Sequence, residues 1–516
     1  MSHELSATAG DHAGDARPNI LLITTDQQHH SALGSVTPML DTPNIDSIGT
    51  DGVTVDRAYC NNPLCSPSRS SIITGEYPSW HGCWTIGTKL EEERTFLGDL
   101  LGQAGYQTSL IGKAHFQPLA STPEQTSLEA QPTLRDLDFW REFHGPYYGF
   151  DHIELARNHA DESHVGQHYA IWMEEQGLTD WADYFQSWPE VRGDERQHSW
   201  DLPAEYHYST WTAERTIAAI DRAADTDDPF FTWASFHDPH PPYLVPEPYA
   251  SMYDPAEVEP GRLEPGELEK MAPWFALTQQ HDPNFSPWQE TPHQNHGFHS
   301  HLTDEDKLRK DIAVYYGMMT LIDDQVGRIL DHLASRGLAE NTLVIFTSDH
   351  GHFLGQHGLV AKGAFHYEDL LRVPFLARWP QRIPAGSRTS SLLGLIDLAP
   401  TMLTAAGLDV PGSTQGVNQL DVWTGEHDTA RDHVIVENRH QPTAVDLRTY
   451  IDGRYKLTVY RGHPWGDLFD LHTDPGEVNN LFDHPDHQDL RHQLALRAID
   501  TELARQPTTY QRIARA

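Results

Sequence analysis

Asn19-Ile20-Leu21-Leu22-Ile23-Thr24-Thr25-Asp26 is a short apolar run that ends in a carboxylate. A run of this length without polar alternation reads as a parallel strand buried on both faces. The same grammar recurs at residues 229–236 and 341–349, where Thr342-Leu343-Val344-Ile345-Phe346 leads into Thr347-Ser348-Asp349-His350-Gly351. Helical patterns separate these runs. The clearest spans 304–335, with Ile312, Tyr315, Met318, Met319, Ile322, Val326, Ile329 and Leu333 at steps of three and four. Asp304 suits its N-cap and Gly337 its C-terminal end. Alternating strands and helices predict an α/β layered sheet. Ligands in such folds collect at the carboxyl ends of strands, where Asp26 and Asp349-His350 fall.

The tail has another rhythm. Residues 434–436, 444–451, 455–460 and 467–471 read as an antiparallel meander, with Asp452-Gly453 as a hairpin turn. A boundary near 425 divides the chain into a flexible head (1–17), a main domain (18–424) and a C-terminal α+β subdomain (425–516). Two aromatic-rich, weakly periodic stretches, 118–208 and 245–303, read as loops around a pocket or as surface insertions.

The 516 residues carry 75 Asp and Glu against 36 Lys and Arg, a formal net charge of −39. Such a surface repels phosphate backbones and anionic lipid, so neither nucleic acid nor membrane is an expected partner. It fits a soluble acidic enzyme or a halophile. No apolar run approaches the roughly 20 residues that span a bilayer. The polar first 18 residues hold no signal-peptide core, and a cytoplasmic location is expected. An anionic substrate would need a locally positive pocket, which draws attention to the few lysines. The three cysteines, Cys60, Cys65 and Cys83, suit neither a disulfide framework nor a zinc site.

Cys65-Ser66-Pro67-Ser68-Arg69-Ser70-Ser71-Ile72-Ile73-Thr74-Gly75 sets one of these cysteines in a distinctive context. Asp26, Asp349 and His350 end separate strands and offer donors for a hard divalent cation. Gly112-Lys113-Ala114-His115 follows a predicted strand at 106–111. Phe236-His237-Asp238-Pro239-His240-Pro241-Pro242 and Gly355-Gln356-His357-Gly358-Leu359-Val360-Ala361-Lys362 supply further histidines and a second lysine.

Together these segments resemble the type I sulfatases of the alkaline-phosphatase-like superfamily. The likeness runs in order through Asp41-Thr42-Pro43-Asn44-Ile45-Asp46, Asp323-Asp324-Gln325-Val326-Gly327, Asp397-Leu398-Ala399-Pro400-Thr401 and Leu468-Phe469-Asp470-Leu471, covering roughly 18–482. It implies a large mixed, mostly parallel sheet sandwiched by helices, with a smaller C-terminal antiparallel sheet and helix. It also implies hydrolysis of a sulfate ester, borne by a small molecule or a carbohydrate. By resemblance Cys65 is oxidised to formylglycine by a separate maturation enzyme, and one hydroxyl of its hydrate attacks sulfur.

The metal set implied is Asp26, Cys65, Asp349 and His350; Gln27 and His357 are possible further site residues, His357 reading as a structural or rim residue. Arg69 would stabilise the hydrate, and Lys113 and Lys362 would neutralise the sulfate. His240 would protonate the departing alcohol and His115 would deprotonate the second hydroxyl. Calcium is the implied ion. Gln27 after Asp26, and His350 where arylsulfatases often carry Asn, make manganese the alternative. Two departures bear on substrate: Glu76 replaces an Arg of the usual pattern, and Ile86 stands where an Asn is common. Phosphonate monoester and phosphodiester hydrolases of the same superfamily share the Asp-Gln and Asp-His features and are the rival reading. A non-catalytic carbohydrate-binding homologue is the remote one. An oligomer is compatible with all three.

Overall fold

The computed structural model describes residues 17–187, 198–226, 228–288, 296–441 and 445–506. Its centre is a sheet of β1 (Asn19–Thr25), β2 (Val53–Tyr59), β3 (Gln107–Gly112), β4 (His152–Leu155), β5 (Phe230–Ser235) and β6 (Thr342–Ser348), extended by strands further along the chain. A small hairpin, β7 (Phe353–Leu354) with β8 (Val360–Ala361), stands apart. Then β9 (Arg372–Val373), β10 (Phe375–Arg378) and β11 (Ser387–Gly394) return to the main sheet. The order is β11-β2-β10-β6-β1-β5-β3-β4, with β9 on β2. Only β9 and β10 run against their neighbours, giving the mixed, mostly parallel sheet that was expected.

Alternation along the buried strands builds two cores. Ile20 and Leu22 of β1, with Leu343 and Ile345 of β6, face one layer. Leu21 and Ile23, with Val344 and Phe346, face the other. The second layer is roofed by the helix Glu305–Ser335, whose Ile312, Tyr315, Met319, Ile322, Val326, Ile329 and Leu333 enter that core. Met318 turns instead to a small cluster with Val245, Val314 and Leu321. Asp304 caps the helix by accepting from the Asp306 amide, as its position predicts. Asp323, deep in the helix, accepts the backbone amides of Asn44 and Ile45 at 3.2 and 2.7 Å. It thereby locks the helix Pro43–Thr50 to this face.

The tail forms β12 (His433–Gln441), β13 (Val445–Asp452), β14 (Tyr455–Tyr460) and β15 (Gly466–Asp470), a four-stranded antiparallel meander carrying the helix Gln488–Ala504. The two aromatic stretches are not open loops. Among their described residues Trp140 and Trp274 are fully buried, and Trp172 and Trp200 nearly so. Most of these rings build local cores rather than a face for sugar rings. Among the described residues no helix is long and apolar enough to cross a membrane.

Register is what places the chemistry. Thr25 pairs with Ser348, Thr24 with Ser235, and Gly112 with Ser235. Asp26, Lys113, the 236–240 segment and Asp349-His350 therefore leave the sheet at one level, on one edge.

Candidate functional site

Cys65 opens the helix Cys65–Thr74, all but the last residue of which is buried. Its Sγ lies 3.4 Å from Asp26 Oδ1, 3.3 Å from His350 Nε2 and 3.1 Å from Lys362 Nζ. Ligand atoms of Asp26, Cys65, Asp349 and His350 all lie within 4.8 Å of one another, and all four residues are buried. The helix continues one turn to Arg69, whose Nε donates to Asp349 Oδ2 at 2.8 Å. Its Nη1 donates to Lys113 O at 3.0 Å and Ser235 Oγ at 2.6 Å. Arg69 is thus a strut between three strand ends, and its Nη2 finds no partner.

Lys113 Nζ contacts Asp26 Oδ2 and sits 2.7 Å from His159 Nε2. Lys362 Nζ reaches His240 Nε2 at 3.3 Å and His350 Nε2 at 3.4 Å. His115 is buried at a left-handed backbone (φ 62), and neither ring nitrogen has a partner. Glu129 fixes that bend: its carboxylate accepts the amides of His115, Phe116 and Gln117 at 2.9–3.1 Å.

Burial and charge set the proton affinities. Burial alone would raise the Asp349 carboxyl, but His350, Arg69, Lys113 and Lys362 outweigh it and hold it below the usual carboxylate range. Burial pushes His350 down to about 3 and lowers His115, His159 and His240. It raises the Cys65 thiol, with Lys362 opposing. Lys113 is lowered by burial despite Asp349 nearby.

The donors fit a divalent cation. Two carboxylates, one imidazole and residue 65 converge. Gln27, also left-handed (φ 65), donates its amide to Asp349 Oδ1 at 3.0 Å and leaves a buried Oε1 without a partner. Oxygen donors with one nitrogen suit calcium or manganese.

The sequence-derived set converges with one exception. Asp26, Gln27, Cys65, Arg69, Lys113, Asp349, His350 and Lys362 interlock, and His240 joins through Lys362. His115 stands beside Lys113, with no hydrogen bond into the centre. His357 lies elsewhere: it is paired with Glu267 and Asp369 and stacked on Tyr367 at 3.5 Å. Glu76 is paired with Arg94, and Trp84, near Ile86, lies under Arg439.

Sequence reading missed His159. It stacks on His240 at 3.8 Å, approaches Asp26 Oδ2 at 3.4 Å, and is held by Glu162 Oε2 at 3.0 Å. Its signal was weak, a lone histidine among 33. Only its place just after β4 favoured it.

A buried cysteine at a helix start faces carboxylates and cations on the edge of a mostly parallel sheet, the arrangement expected of the alkaline-phosphatase-like class. The family model described as Sulfatase matches residues 18–408, and that for N-sulphoglucosamine sulphohydrolase, C-terminal, matches 355–503. The chain belongs to the sulfatase family. An arylsulfatase of Clostridium perfringens is 28% identical over 493 residues, covering 92% of each chain. An N-acetylglucosamine-6-O-sulfatase of Bacteroides thetaiotaomicron is 26% identical over 519 residues, covering 90% of this chain and 83% of that protein. Among solved structures, a phosphonate monoester hydrolase of Agrobacterium radiobacter superposes with a TM-score of 0.77 at 25% identity, covering 96% of this chain and 98% of its own.

Proposed function

We propose that this sulfatase cleaves a sulfate ester of a carbohydrate, with residue 65 acting as formylglycine and a divalent cation held by Asp26, Asp349 and His350. The observation that carries the reading is the position of Cys65 Sγ, within 3.4 Å of a carboxylate, an imidazole and an ammonium at once. When both groups are present, the oxidised residue supplies a hydrate hydroxyl as nucleophile and the cation favours its ionised form while drawing charge from the sulfate oxygens.

The chain's own residues do the rest. Lys113 and Lys362 flank the position and offer N–H donors to the negatively charged sulfate oxygens, in a site that excludes water. Arg69 cannot turn away, because Asp349, Ser235 and the Lys113 carbonyl hold it. His240 stands at the partly exposed side with its Nε2 against the Lys362 ammonium, and in this reading the departing alcohol oxygen takes its proton from the Lys362–His240 pair. His115, buried with both ring nitrogens unengaged, is the base this reading assigns to residue 65 as sulfate leaves. Glu129 keeps it there.

The carbohydrate assignment rests on the glucosamine sulfatase relative, whose sulfate lies on a sugar. A second reading, hydrolysis of phosphonate monoesters, is favoured by the TM-score of 0.77 to an enzyme of that activity. A panel of monosaccharide sulfates, aryl sulfates and phosphonate monoesters, assayed with calcium and then manganese, separates the two. Greater kcat/KM on a sugar sulfate than on any phosphonate is the expected result, and the reverse order overturns it. Peptide mass across residue 65 tests the modification independently.

A further inference from the structure

A cavity of about 540 Å³ lies between the main sheet and the C-terminal meander, and none of its lining residues belongs to the Cys65 centre. Arg57, Arg262, Arg372 and His30 line it, with Glu264, Glu267, Glu368 and Asp369. The charges look balanced until partners are assigned. Glu267 is taken by His357 and the Tyr367 hydroxyl. Asp369 is taken by His29 at 2.9 Å and by His357 at 3.3 Å. Glu368 accepts from the Tyr59 hydroxyl at 2.8 Å and pairs with Lys456 at 3.3 Å. Only Glu264 keeps an uncommitted carboxylate, and it is exposed.

The guanidiniums are in the opposite condition. Arg57 donates to the carbonyls of Asp452 and Gly453, which hold it in place and leave its charge uncancelled. The Arg262 and Arg372 guanidiniums have neither a hydrogen-bond nor an ion-pair partner among the described residues. In a chain with 75 acidic and 36 basic side chains, three arginines sharing one cavity without a carboxylate partner is a concentrated exception. Guanidiniums that line one cavity, two half-buried and the third, Arg262, exposed, suit bidentate recognition of a tetrahedral or planar oxyanion.

We propose that this cavity is a second anion-binding site, in which Arg57, Arg262 and Arg372 take a sulfate or phosphate group. The shared chemistry has two sources: a free inorganic anion, or a second sulfate on an extended substrate. The competing occupant is a transition-metal ion on His29, His30 and Asp369, whose donor atoms also cluster within 4.8 Å. The hydrogen bonds disfavour it. The Ser31 amide donates to His29 Nδ1 at 3.1 Å, so the proton of that ring sits on Nε2 and is given to Asp369. A metal would have to displace it. The inference does not depend on which ester the Cys65 centre cleaves.

The test is calorimetric titration of sodium sulfate into the full-length protein at fixed ionic strength. Two classes of sulfate site are expected. R372A should weaken the second by about tenfold, as loss of a charge-assisted bidentate contact does. R262A/R372A should abolish it, while turnover of a small monosulfate ester and the unfolding midpoint stay unchanged. R372K should retain part of it, which separates lost charge from lost packing. A KM rise in the double variant confined to disulfated over monosulfated saccharides identifies the substrate source. Equal KM values, with the second sulfate class lost, identify the free anion. One sulfate class in the wild type, two classes surviving in the double variant, or stoichiometric binding of zinc but not sulfate at the cavity would overturn the proposal.

Discussion

The Cys65 centre and the His357 cluster use the same materials: histidines, carboxylates and cations, nearly all of them buried. At His357 the imidazole and both carboxylates have found partners, because Glu267 and Asp369 grip the imidazole from two sides and Asp369 also holds His29. At Cys65 the groups crowd together and remain unsatisfied. Gln27 Oε1, Arg69 Nη2 and both nitrogens of His115 are buried without partners. Leaving such atoms unpaired costs about 1–3 kcal/mol each, a cost that a bound ion or substrate group would offset. Partner accounting therefore separates a reaction centre from a structural brace where residue types alone do not.

The strongest way to break this contrast is to remove the nucleophile. Cys65→Ala should lower kcat/KM by about four orders of magnitude or more without loss of fold, read by steady-state assay and circular dichroism. Residual activity within tenfold of wild type would move the chemistry elsewhere. Asp349→Asn comes next. It takes the carboxylate from a fully buried Arg69 and should cost about 3–5 kcal/mol in urea unfolding, because the charge stays behind unpaired. A loss under about 1 kcal/mol would mean that Arg69 is not strained in the way its geometry implies. His240→Gln should reduce kcat about a hundredfold on alkyl or sugar sulfates, yet far less on sulfates of acidic phenols, which leave without a proton. An equal loss on both would make His240 a binding residue rather than an acid.

Much of this was legible in the chain. Strands β1, β5 and β6 were visible because burial on both faces leaves an uninterrupted apolar run, and the helix Glu305–Ser335 because one long stripe keeps its period. The meander showed through Asp452-Gly453. Motif spacing found the residues that register brings to one sheet edge, since each sits directly after a strand. Sequence says least where neither period nor spacing speaks. His357 lies within a motif-like stretch but turns to Glu267, a partner 90 positions away in sequence. His159 reaches the centre from an irregular segment after β4. Trp140, Trp172, Trp200 and Trp274 of those stretches pack inward into separate cores, a tertiary outcome that composition does not encode.

The gentlest test sits in the satisfied cluster. Burial would lower His357, but hydrogen bonds and charge from Asp369 and Glu267 outweigh it and raise the imidazole to about 9. A group raised in the folded state gives its full stabilisation below the unfolded value of about 6.5, and loses it as pH climbs through about 9. The shift corresponds to at most about 3 kcal/mol. Urea unfolding at pH 6 and pH 9.5 should therefore show wild type losing more stability than His357→Gln, by about 2–3 kcal/mol. Parallel losses in wild type and His357→Gln would show that the brace is held by packing on Tyr367 rather than by charge, and the contrast with the Cys65 centre would then rest on unsatisfied atoms alone.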